Sequence, residues 1–412
     1  MMKADIAVLG AGIVGVAAAL QLQTRGREVV LIDRRGVGEE TSFGNAGIIE
    51  RASIFPYLFP RDIKKLAVYA FNGLNEARYH WRDAPAFAPF LFRYFLESAP
   101  RRALDHALSV RPLIEACLDE HETLMAQAGV DHLLRKTGWI KLFRDEASFS
   151  QGRSAAEALK PFGLRADLLD AQALKRLEPS LREGFGAVHY LEPASVSDPL
   201  ALTLGYLKLF EARGGRFVRG DATTLRTANE GFGVATVEGP LLAREVVLSL
   251  GPWSDLVLAP LGYKLPFAVK RGYHRHFHPQ EGASLSRPVL DADRGYLLAP
   301  MAQGIRVTTG AEFARRDAPP DYTQVEQSEI FARELFPLAE RIEEKPWMGS
   351  RPCLPDMLPV LGPAPRHKGL WFNFGHQHHG LTLAAVCGRL LAEMMTGEQT
   401  FADPSPFSIE RF

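Results

Sequence analysis

Short apolar runs and helical patterns alternate at the start of the chain. Residues 5–9 (DIAVL) have the continuous apolar character of a buried parallel strand, and residues 28–32 (EVVLI) predict a second one. Between them, the apolar spacing predicts a helix that runs to about Arg25. This strand–helix–strand order predicts the first unit of a Rossmann-like α/β fold.

The pattern changes along the rest of the chain. Residues 55–165 are mostly helical in pattern and rich in aromatic residues, whereas 263–312 alternate in short runs, as antiparallel strands do. Asp198 and Pro199 indicate the start of a helix that ends near 214. Further predicted elements are strands at 216–218 and 246–250 and an amphipathic helix at 323–341. No internal repeat is visible, and a β-rich second domain with a helical cap is expected.

The turn after the first strand carries a glycine fingerprint. Gly10, Gly12 and Gly15 form GxGxxG between a strand and a helix, and Asp33 closes the second strand. In this context the glycines allow a tight turn, close approach of a pyrophosphate and helix–strand packing, while the acid accepts hydrogen bonds from a ribose. We therefore expect a dinucleotide site that also includes Ile13, Val14 and Arg34. The fingerprint alone does not separate FAD from NAD.

Composition narrows the class of protein. The chain has 412 residues, long enough for two domains, and its net charge of zero does not favour nucleic acid. Its three cysteines are widely spaced, which fits a reducing compartment. The apolar run at 6–20 resembles a signal peptide, but its glycines fit the fingerprint better. We expect a cytoplasmic protein without a transmembrane helix.

Two further segments carry a family resemblance. Residues 41–47 (TSFGNAG) give a loop of small side chains after the second strand, and 351–362 read RPCLPDMLPVLG. With the fingerprint, these motifs resemble the D-amino acid dehydrogenase branch of the FAD-dependent D-amino acid oxidase and glycine oxidase superfamily. The similarity spans nearly the whole chain in order.

The resemblance implies a fold and a cofactor. It implies an α/β fold with a Rossmann-like FAD-binding domain, formed by 1–60, 190–260 and 345–412, and an α+β substrate-binding domain, formed by 61–189 and 261–344. The FAD is expected to be noncovalent, because the spacing around Cys353 matches relatives without a thiol link. The loop residues expected at the cofactor are Thr41, Ser42, Asn45, Ala46, Gly47 and Ile48, joined by Thr223, Gly251 and Trp253.

The resemblance also implies a substrate site. Arg351 is expected to hold an amino acid carboxylate, since a guanidinium fork matches both carboxylate oxygens. Tyr296 is the candidate for a tyrosine that joins this site, although a core position is the alternative. Arg271 and Tyr273, on one face of a strand, are weaker candidates for a second anchor.

Histidines are concentrated in two places. In 373–382 (NFGHQHHGLT), either a metal site or a loop around a cofactor fits the residue types; the resemblance favours the cofactor. Gly375, Gln377, Gly380, Leu381 and Thr382 are then expected at the flavin, and His376, His378 and His379 beside it, one of them contacting the substrate or helping to deprotonate it. His274, His276 and His278 share a strand face, for which we expect a partly exposed polar surface and no metal.

The expected function is FAD-dependent oxidative deamination of an amino acid, a D-amino acid in the first place. Hydride transfer from Cα to flavin N5 would give a 2-oxo acid and ammonia. A secondary-amine oxidase or dehydrogenase acting on glycine, sarcosine or a cyclic imino acid shares these motifs, and a nonenzymatic flavin- or NAD-binding protein is a further alternative. The electron acceptor, quinone or oxygen, stays open. So does the role of the aromatic stretch 55–103, which suits either a buried cap or peripheral contact with the inner face of the cytoplasmic membrane.

Overall fold

The computed structural model describes residues 2–182 and 184–412. Its strands are β1 Met2–Leu9, β2 Val29–Asp33, β3 Ile48–Ile49, β4 Ala77–Tyr79, β5 Leu134–Arg135, β6 Trp139–Phe143, β7 Ala166–Asp170, β8 Gly186–Tyr190, β9 Ala194–Val196, β10 Arg216–Ala228, β11 Gly231–Thr236, β12 Gly239–Leu248, β13 Ala268–Pro279, β14 Val289–Asp291, β15 Tyr296–Met301, β16 Gly304–Thr309, β17 Ala311–Phe313, β18 Leu338–Arg341, β19 Trp347–Cys353, β20 Val360–Pro363 and β21 Leu370–Phe374. Its α-helices are α1 Ile13–Thr24, α2 Ile63–Ala70, α3 Ala84–Glu97, α4 Pro100–Ala128, α5 Glu146–Glu157, α6 Ala171–Leu177, α7 Pro199–Ala212, α8 Ser254–Leu258, α9 Thr323–Leu335 and α10 Gly380–Thr396.

The first sheet has a parallel centre. β1 pairs in parallel with β2 and β12, β2 pairs with β10, and β12 pairs with β21. The antiparallel strands β11 and β20 complete this sheet. Buried residues of α1, α4, α7 and α10 form one continuous apolar core with β1 and β2. Because parallel strands need both faces covered, their apolar runs were readable from the sequence.

The second sheet is built around the long strand β13. This strand pairs with β16, β17, β18 and β19, and β15 and β14 extend the sheet towards β6, β8 and β7. β19 therefore lies in the second sheet, although the predicted boundary near residue 345 assigned it to the nucleotide-binding part. The pairing matters for the site because β19 carries Arg351.

Several sequence predictions are confirmed, and some boundaries were wrong. The helix predicted from Asp198 is α7, and the Asp198 side chain accepts hydrogen bonds from Leu200 and Ala201 at its start. The helix predicted over 323–341 ends at Leu335, because Pro337 lacks the N–H that would continue it, and β18 follows. The mostly helical segment 55–165 also contains β4, β5 and β6, whose short lengths gave little periodic signal.

The segment 55–103 is partly buried. Phe87, Phe90 and Tyr94 of α3 pack with Phe313 in an apolar cluster, as a cap would. In contrast, Phe71 and Phe92 are 87% and 65% exposed. Among the described residues, none of the helices combines the length and the apolar character needed to cross a membrane.

Candidate active site

A long cavity lies outside the carboxyl ends of the parallel strands and is closed on its other side by β13, β16 and β19. Ligands of open α/β sheets bind at this edge. The predicted residues that line it are Gly10, Gly12, Ile13, Val14, Asp33, Arg34, Thr41, Ser42, Asn45, Ala46, Ile48, Thr223, Gly251, Trp253, Tyr273, Arg351, His376, Gln377, His378, His379, Gly380, Leu381 and Thr382. Gly15, Gly47 and Gly375 support the wall from behind, while Arg271 and Tyr296 lie elsewhere.

The turn between β1 and α1 forms one end of the cavity. Gly10 has φ 107°, and a Cβ atom there would lie 2.3 Å from the backbone oxygen of Ser249. A Cβ atom on Gly15 would lie 1.8 Å from the oxygen of Gly10. Asp33 accepts a hydrogen bond from the Ala11 N–H at 2.8 Å. Only glycine allows this tight crossing, which brings the start of α1 to the cavity.

The loop after β2 forms the next part of the wall. Asn45 accepts a hydrogen bond from the Gly47 N–H at 2.8 Å, and Gly47 has φ 77°. The Thr41 hydroxyl donates to the Ser350 oxygen at 2.7 Å and so joins this loop to β19. Ser42 accepts from the Ile13 N–H at 2.9 Å, directly at the start of α1. The loop therefore connects the fingerprint with the second sheet.

Buried polar atoms without a partner test whether a dinucleotide with a ring system fits. The side-chain amide of Asn373 and the hydroxyl of Ser249 line the cavity and have no hydrogen-bond partner within the described residues. Buried polar groups are normally satisfied, so these atoms indicate a polar ligand. The cavity reaches from Thr223 past the fingerprint to α10, and its residues fit FAD.

The histidine loop forms the other end of the cavity. The Gln377 N–H donates to the Pro352 oxygen at 3.1 Å, and its side-chain oxygen accepts from the Leu354 N–H at 3.3 Å. Gln377 has φ 56°, and these bonds hold the loop against β19. Among the described residues, none caps the start of α10 at Gly380 with its side chain, so the N–H groups of its first turn are available to a ligand in the cavity.

The loop histidines are neutral near pH 7; His376 is buried, and His378 and His379 are half-buried. Burial lowers the pKa of His376 to about 3 and that of His379 to about 4. Burial, with Arg351 and Lys270 nearby, also holds the pKa of His378 well below its usual range. Because a group with such a low pKa is a weak base, the histidines suit pocket walls better than proton acceptors.

Arg351 reaches the cavity from β19. Its guanidinium donates to the backbone oxygens of Gly310 at 3.0 Å and Arg271 at 3.3 Å. A Cβ atom on Gly272 would lie 2.4 Å from this guanidinium, so the space is reserved for it. In the described part of the chain no carboxylate forms an ion pair with Arg351, and burial lowers its pKa. An arginine without an acid in a cavity is ready to bind an anion.

Two predicted anchors lie outside the cavity. Tyr296 is buried in the core of the second sheet, where its hydroxyl donates to the Phe331 oxygen at 3.1 Å. Arg271 forms a buried ion pair with Glu312 at 2.6 Å. Strand alternation predicted that Arg271 and Tyr273 share a face. It did not predict that Glu312 of β17 lies opposite that face. Tyr273 lines the cavity, yet its hydroxyl donates to the same Glu312 at 2.6 Å.

The expected exposed histidine face was wrong for two of its three members. His274 and His276 are buried, and only His278 is exposed. One ring nitrogen of His276 lies 2.7 Å from Glu343, and its other nitrogen accepts a hydrogen bond from Arg306 at 2.8 Å. Ligand atoms of His274, His276 and Glu343 lie within 4.8 Å of one another. However, the adjacent guanidinium of Arg306 makes this arrangement suit an ion-pair network better than a cation site.

Sequence reasoning missed several cavity residues. Glu50, Tyr57, Trp139 and Trp347 line the cavity between the histidine loop and the second sheet, and Asn373 lies at the end of β21. A signal was present for two of them. Asn373 is a polar residue within the apolar strand LWFNF. Glu50 directly follows the apolar pair at 48–49, which indicates a buried segment, and Glu50 is itself buried. Tyr57, Trp139 and Trp347 come from distant segments, and nothing local distinguishes them.

Comparisons with known proteins identify the family. A family model described as FAD dependent oxidoreductase matches residues 5–394. A D-amino-acid oxidase from Bradyrhizobium diazoefficiens is 30% identical over 99% of this chain and 98% of its own length. A D-amino acid dehydrogenase from Cereibacter sphaeroides is 31% identical over 99% of this chain and 95% of its own.

Solved structures confirm the predicted fold. Glycine oxidase from Geobacillus kaustophilus superposes with a TM-score of 0.76 at 23% identity, covering 100% of both chains. L-proline dehydrogenase from P. horikoshii gives 0.74 at 19% identity over 100% of this chain and 98% of its own. The glycine fingerprint, the fold and the family match lead to one conclusion: the chain belongs to the family of FAD-dependent oxidoreductases.

Proposed function

We propose that the protein oxidises an amino acid, a D-amino acid in the first place, to the 2-oxo acid and ammonia. The observation that carries this proposal is the guanidinium of Arg351, which faces the cavity without an acidic partner in the described chain. A substrate carboxylate supplies the missing anion and is held by two parallel hydrogen bonds. The relatives named D-amino acid oxidase and dehydrogenase support the same substrate class.

The cavity residues divide the work of binding. The β1–α1 turn would hold the pyrophosphate, Asp33 the ribose, and the first turn of α10 the ring system, where its N–H groups stabilise negative charge. FAD supplies the acceptor for the hydride that leaves Cα. The Cys353 thiol is buried outside the cavity lining, which supports noncovalent binding.

Substrate orientation is the main contribution of the protein. Arg351 fixes one end of a small zwitterion, and the neutral loop histidines and Tyr57 enclose the other side. Holding the reacting hydrogen in a fixed direction replaces a bimolecular encounter. Water then hydrolyses the imine product to the 2-oxo acid and ammonia.

Anaerobic mixing of the FAD-loaded protein with a panel of substrates tests this proposal. The panel contains D- and L-amino acids, N-alkyl glycines and cyclic imino acids, and loss of the oxidised flavin absorbance is the readout. We expect reduction by at least one primary D-amino acid. Reduction by secondary amines alone would transfer the assignment to the amine oxidase alternative, and reduction by none would contradict an enzymatic role on amines.

We also propose that the exposed apolar side chains of 57–96 contact the inner face of a membrane. Leu58, Phe71, Trp81, Phe92 and Leu96 are exposed within this stretch. Arginines and lysines are interspersed with them in the sequence, a combination typical of surfaces that bind anionic lipid. Such contact would place the flavin near a membrane-borne electron acceptor such as a quinone.

A further inference from the structure

We propose that Glu50 accepts the proton of the substrate's ammonium group. This inference rests on the proposed function, because it assigns the cationic end of the substrate that Arg351 binds at its anionic end. The Glu50 side chain lines the same cavity as Arg351, and the residue is only 7% exposed.

Glu50 is tied to the first turn of α10. Its backbone N–H donates to the Thr382 hydroxyl at 3.0 Å, and its side chain accepts from the Ala52 N–H at 2.9 Å. Thr382 also donates to the Ile48 oxygen at 3.3 Å, so β3 and α10 are joined at this point. The carboxyl group is therefore fixed next to the end of the cavity where the histidine loop lies.

Tyr57 connects the two charged ends of the site. Its ring lies 5.1 Å from the ring of His378, and it lines the cavity. Although Tyr57 as a residue is 51% exposed, burial of its hydroxyl raises the pKa of that group, Glu50 raises it further and Arg351 lowers it. Glu50, Arg351 and Tyr57 thus line one cavity, and its two opposite charges match a zwitterion.

No cation of the described residues forms an ion pair with Glu50. A buried carboxylate without a partner is costly, and such groups are concentrated at functional sites. Burial raises the pKa of Glu50 to about 7, against the hydrogen bond from the Ala52 N–H that lowers it. A general base is most efficient when its pKa lies near the working pH. Glu50 meets this condition, whereas the loop histidines, with their low pKa values, do not.

The other ionisable groups around Glu50 keep one charge state near neutral pH. Burial raises the pKa values of Tyr57, Cys117 and Tyr190 to about 12, so they stay protonated. His378 and His379 stay neutral. Of these groups, Glu50 is the one whose pKa lies near 7.

The proton transfer balances without a further reactant. The ammonium N–H bond breaks, the proton joins a Glu50 carboxylate oxygen, and the electron pair of that bond becomes the nitrogen lone pair. This lone pair would form the C=N bond as the Cα–H bond breaks, and FAD, when bound, would supply the acceptor for the hydride. The Glu50 proton passes to solvent after the product leaves.

The test is the pH dependence of anaerobic flavin reduction in Glu50→Gln and in the wild-type protein. We expect the wild-type kcat/KM for reduction to rise with a midpoint near pH 7, as Glu50 loses its proton. At pH 7 the variant should be slower by roughly 10²-fold or more, the usual contribution of a positioned base. It should approach the wild-type rate above the pKa of the free substrate ammonium, where the amine arrives deprotonated.

The matched control is Glu39→Gln, an exposed residue outside the cavity lining, which should keep the wild-type profile. A Glu50→Gln profile with the wild-type midpoint, or a loss of rate equal at every pH, would overturn the proposal. The first result means that another group titrates, and the second means that Glu50 only shapes the pocket.

Acetate binding gives a readout that needs no turnover. Acetate carries a carboxylate but no ammonium, and its binding to FAD-loaded protein is followed by the change in flavin absorbance. Ionised Glu50 repels it, so wild-type affinity should fall by about tenfold or more as pH rises through 7, while Glu50→Gln should show no such fall. Equal pH dependence in both proteins would overturn the assignment of Glu50. A wild-type flavin that no amine reduces would instead overturn the proposed function.

Discussion

At the residue scale, the site holds a half-buried guanidinium and a buried carboxyl group that have no ion-pair partner among the described residues. Arg351 has only backbone oxygens around its guanidinium, and Glu50 has no cation in the described chain. Each charge costs free energy of folding, because burial removes its hydration. A zwitterionic ligand satisfies both, which explains why a folded protein keeps them.

The cost of Glu50 gives a stability prediction. Its pKa is about 7 in the folded protein against 4.5 when solvated. The native state therefore keeps the Glu50 proton to a higher pH than the unfolded state does. The free energy of unfolding consequently falls as pH rises from 4.5 to 7. At about 1.4 kcal/mol per pKa unit, the full loss is about 3 kcal/mol. Gln is neutral throughout, so Glu50→Gln should be more stable than wild type at pH 8 and equal to it near pH 4.

Urea denaturation at the two pH values measures this difference. Equal stability of the two proteins at pH 8 would mean that the Glu50 carboxylate is well solvated, contrary to its burial.

Single residues were predictable where a backbone demand fixes them. Gly10 follows from the tight turn after β1, whereas Gly12 and Asp33 were predicted from the pyrophosphate and ribose that such a fingerprint is expected to hold. The positions of Tyr296 and Arg271 were not predictable, because the alternation of polar and apolar residues shows which face of a strand a side chain lies on but not which residues it contacts. The acid that forms an ion pair with Arg271 is Glu312, which is 41 residues away in the sequence.

At the element scale, the pairing of β13 with β19 determines where the guanidinium points. Gly272 lies opposite Gly349 in this pairing, and the absence of a side chain at 272 leaves room for Arg351. The Gly272→Ala methyl group would meet the guanidinium at 2.4 Å and displace it. A misplacement of about 1 Å can cost roughly 10²-fold in rate, so kcat/KM should fall by about ten- to a hundredfold.

FAD binding should be unchanged in Gly272→Ala, because the fingerprint lies at the other end of the cavity. Gly233→Ala is the matched control, since its methyl group has 3.6 Å to the Arg226 side chain and lies on β11. Unaltered kinetics of Gly272→Ala would argue that Arg351 does not touch the substrate.

Long periodic elements were predictable and short ones were not. β1, α1, β2 and α7 follow from apolar runs and a capping aspartate. The two- and three-residue strands β3, β4 and β5 exist because neighbouring strands offer hydrogen bonds, a tertiary effect without a local pattern.

At the scale of the whole molecule, the apolar surface formed around α2 and α3 gives a further prediction. Vesicles containing anionic lipid should sediment the protein, with less bound at high salt, which screens the basic residues. Phe71→Ser and Phe92→Ser should each weaken binding by roughly tenfold or more, since burying a Phe side chain contributes about 1.5–3 kcal/mol.

Val237→Ser is the control for this surface, because Val237 is exposed on the β11–β12 turn. A protein that stays in the supernatant at every salt concentration would exclude the membrane proposal.

The overall architecture was predictable because consecutive elements alternate in the first sheet and the family motifs are in order. The walls of the cavity were less predictable, because they combine the histidine loop, β3 and β19, which lie far apart in the sequence. Residues such as Trp139 and Trp347 acquire their position only when the two sheets meet.

The central claim is that Arg351 holds the substrate carboxylate beside bound FAD. Anaerobic flavin reduction by the best substrate, compared between wild type and Arg351→Met, tests it most directly. Loss of two charge-assisted hydrogen bonds removes about 3 kcal/mol or more. The variant should therefore bind FAD but be reduced roughly 10²-fold more slowly, as kcat/KM. Equal reduction of both proteins by every carboxylated amine would contradict the account.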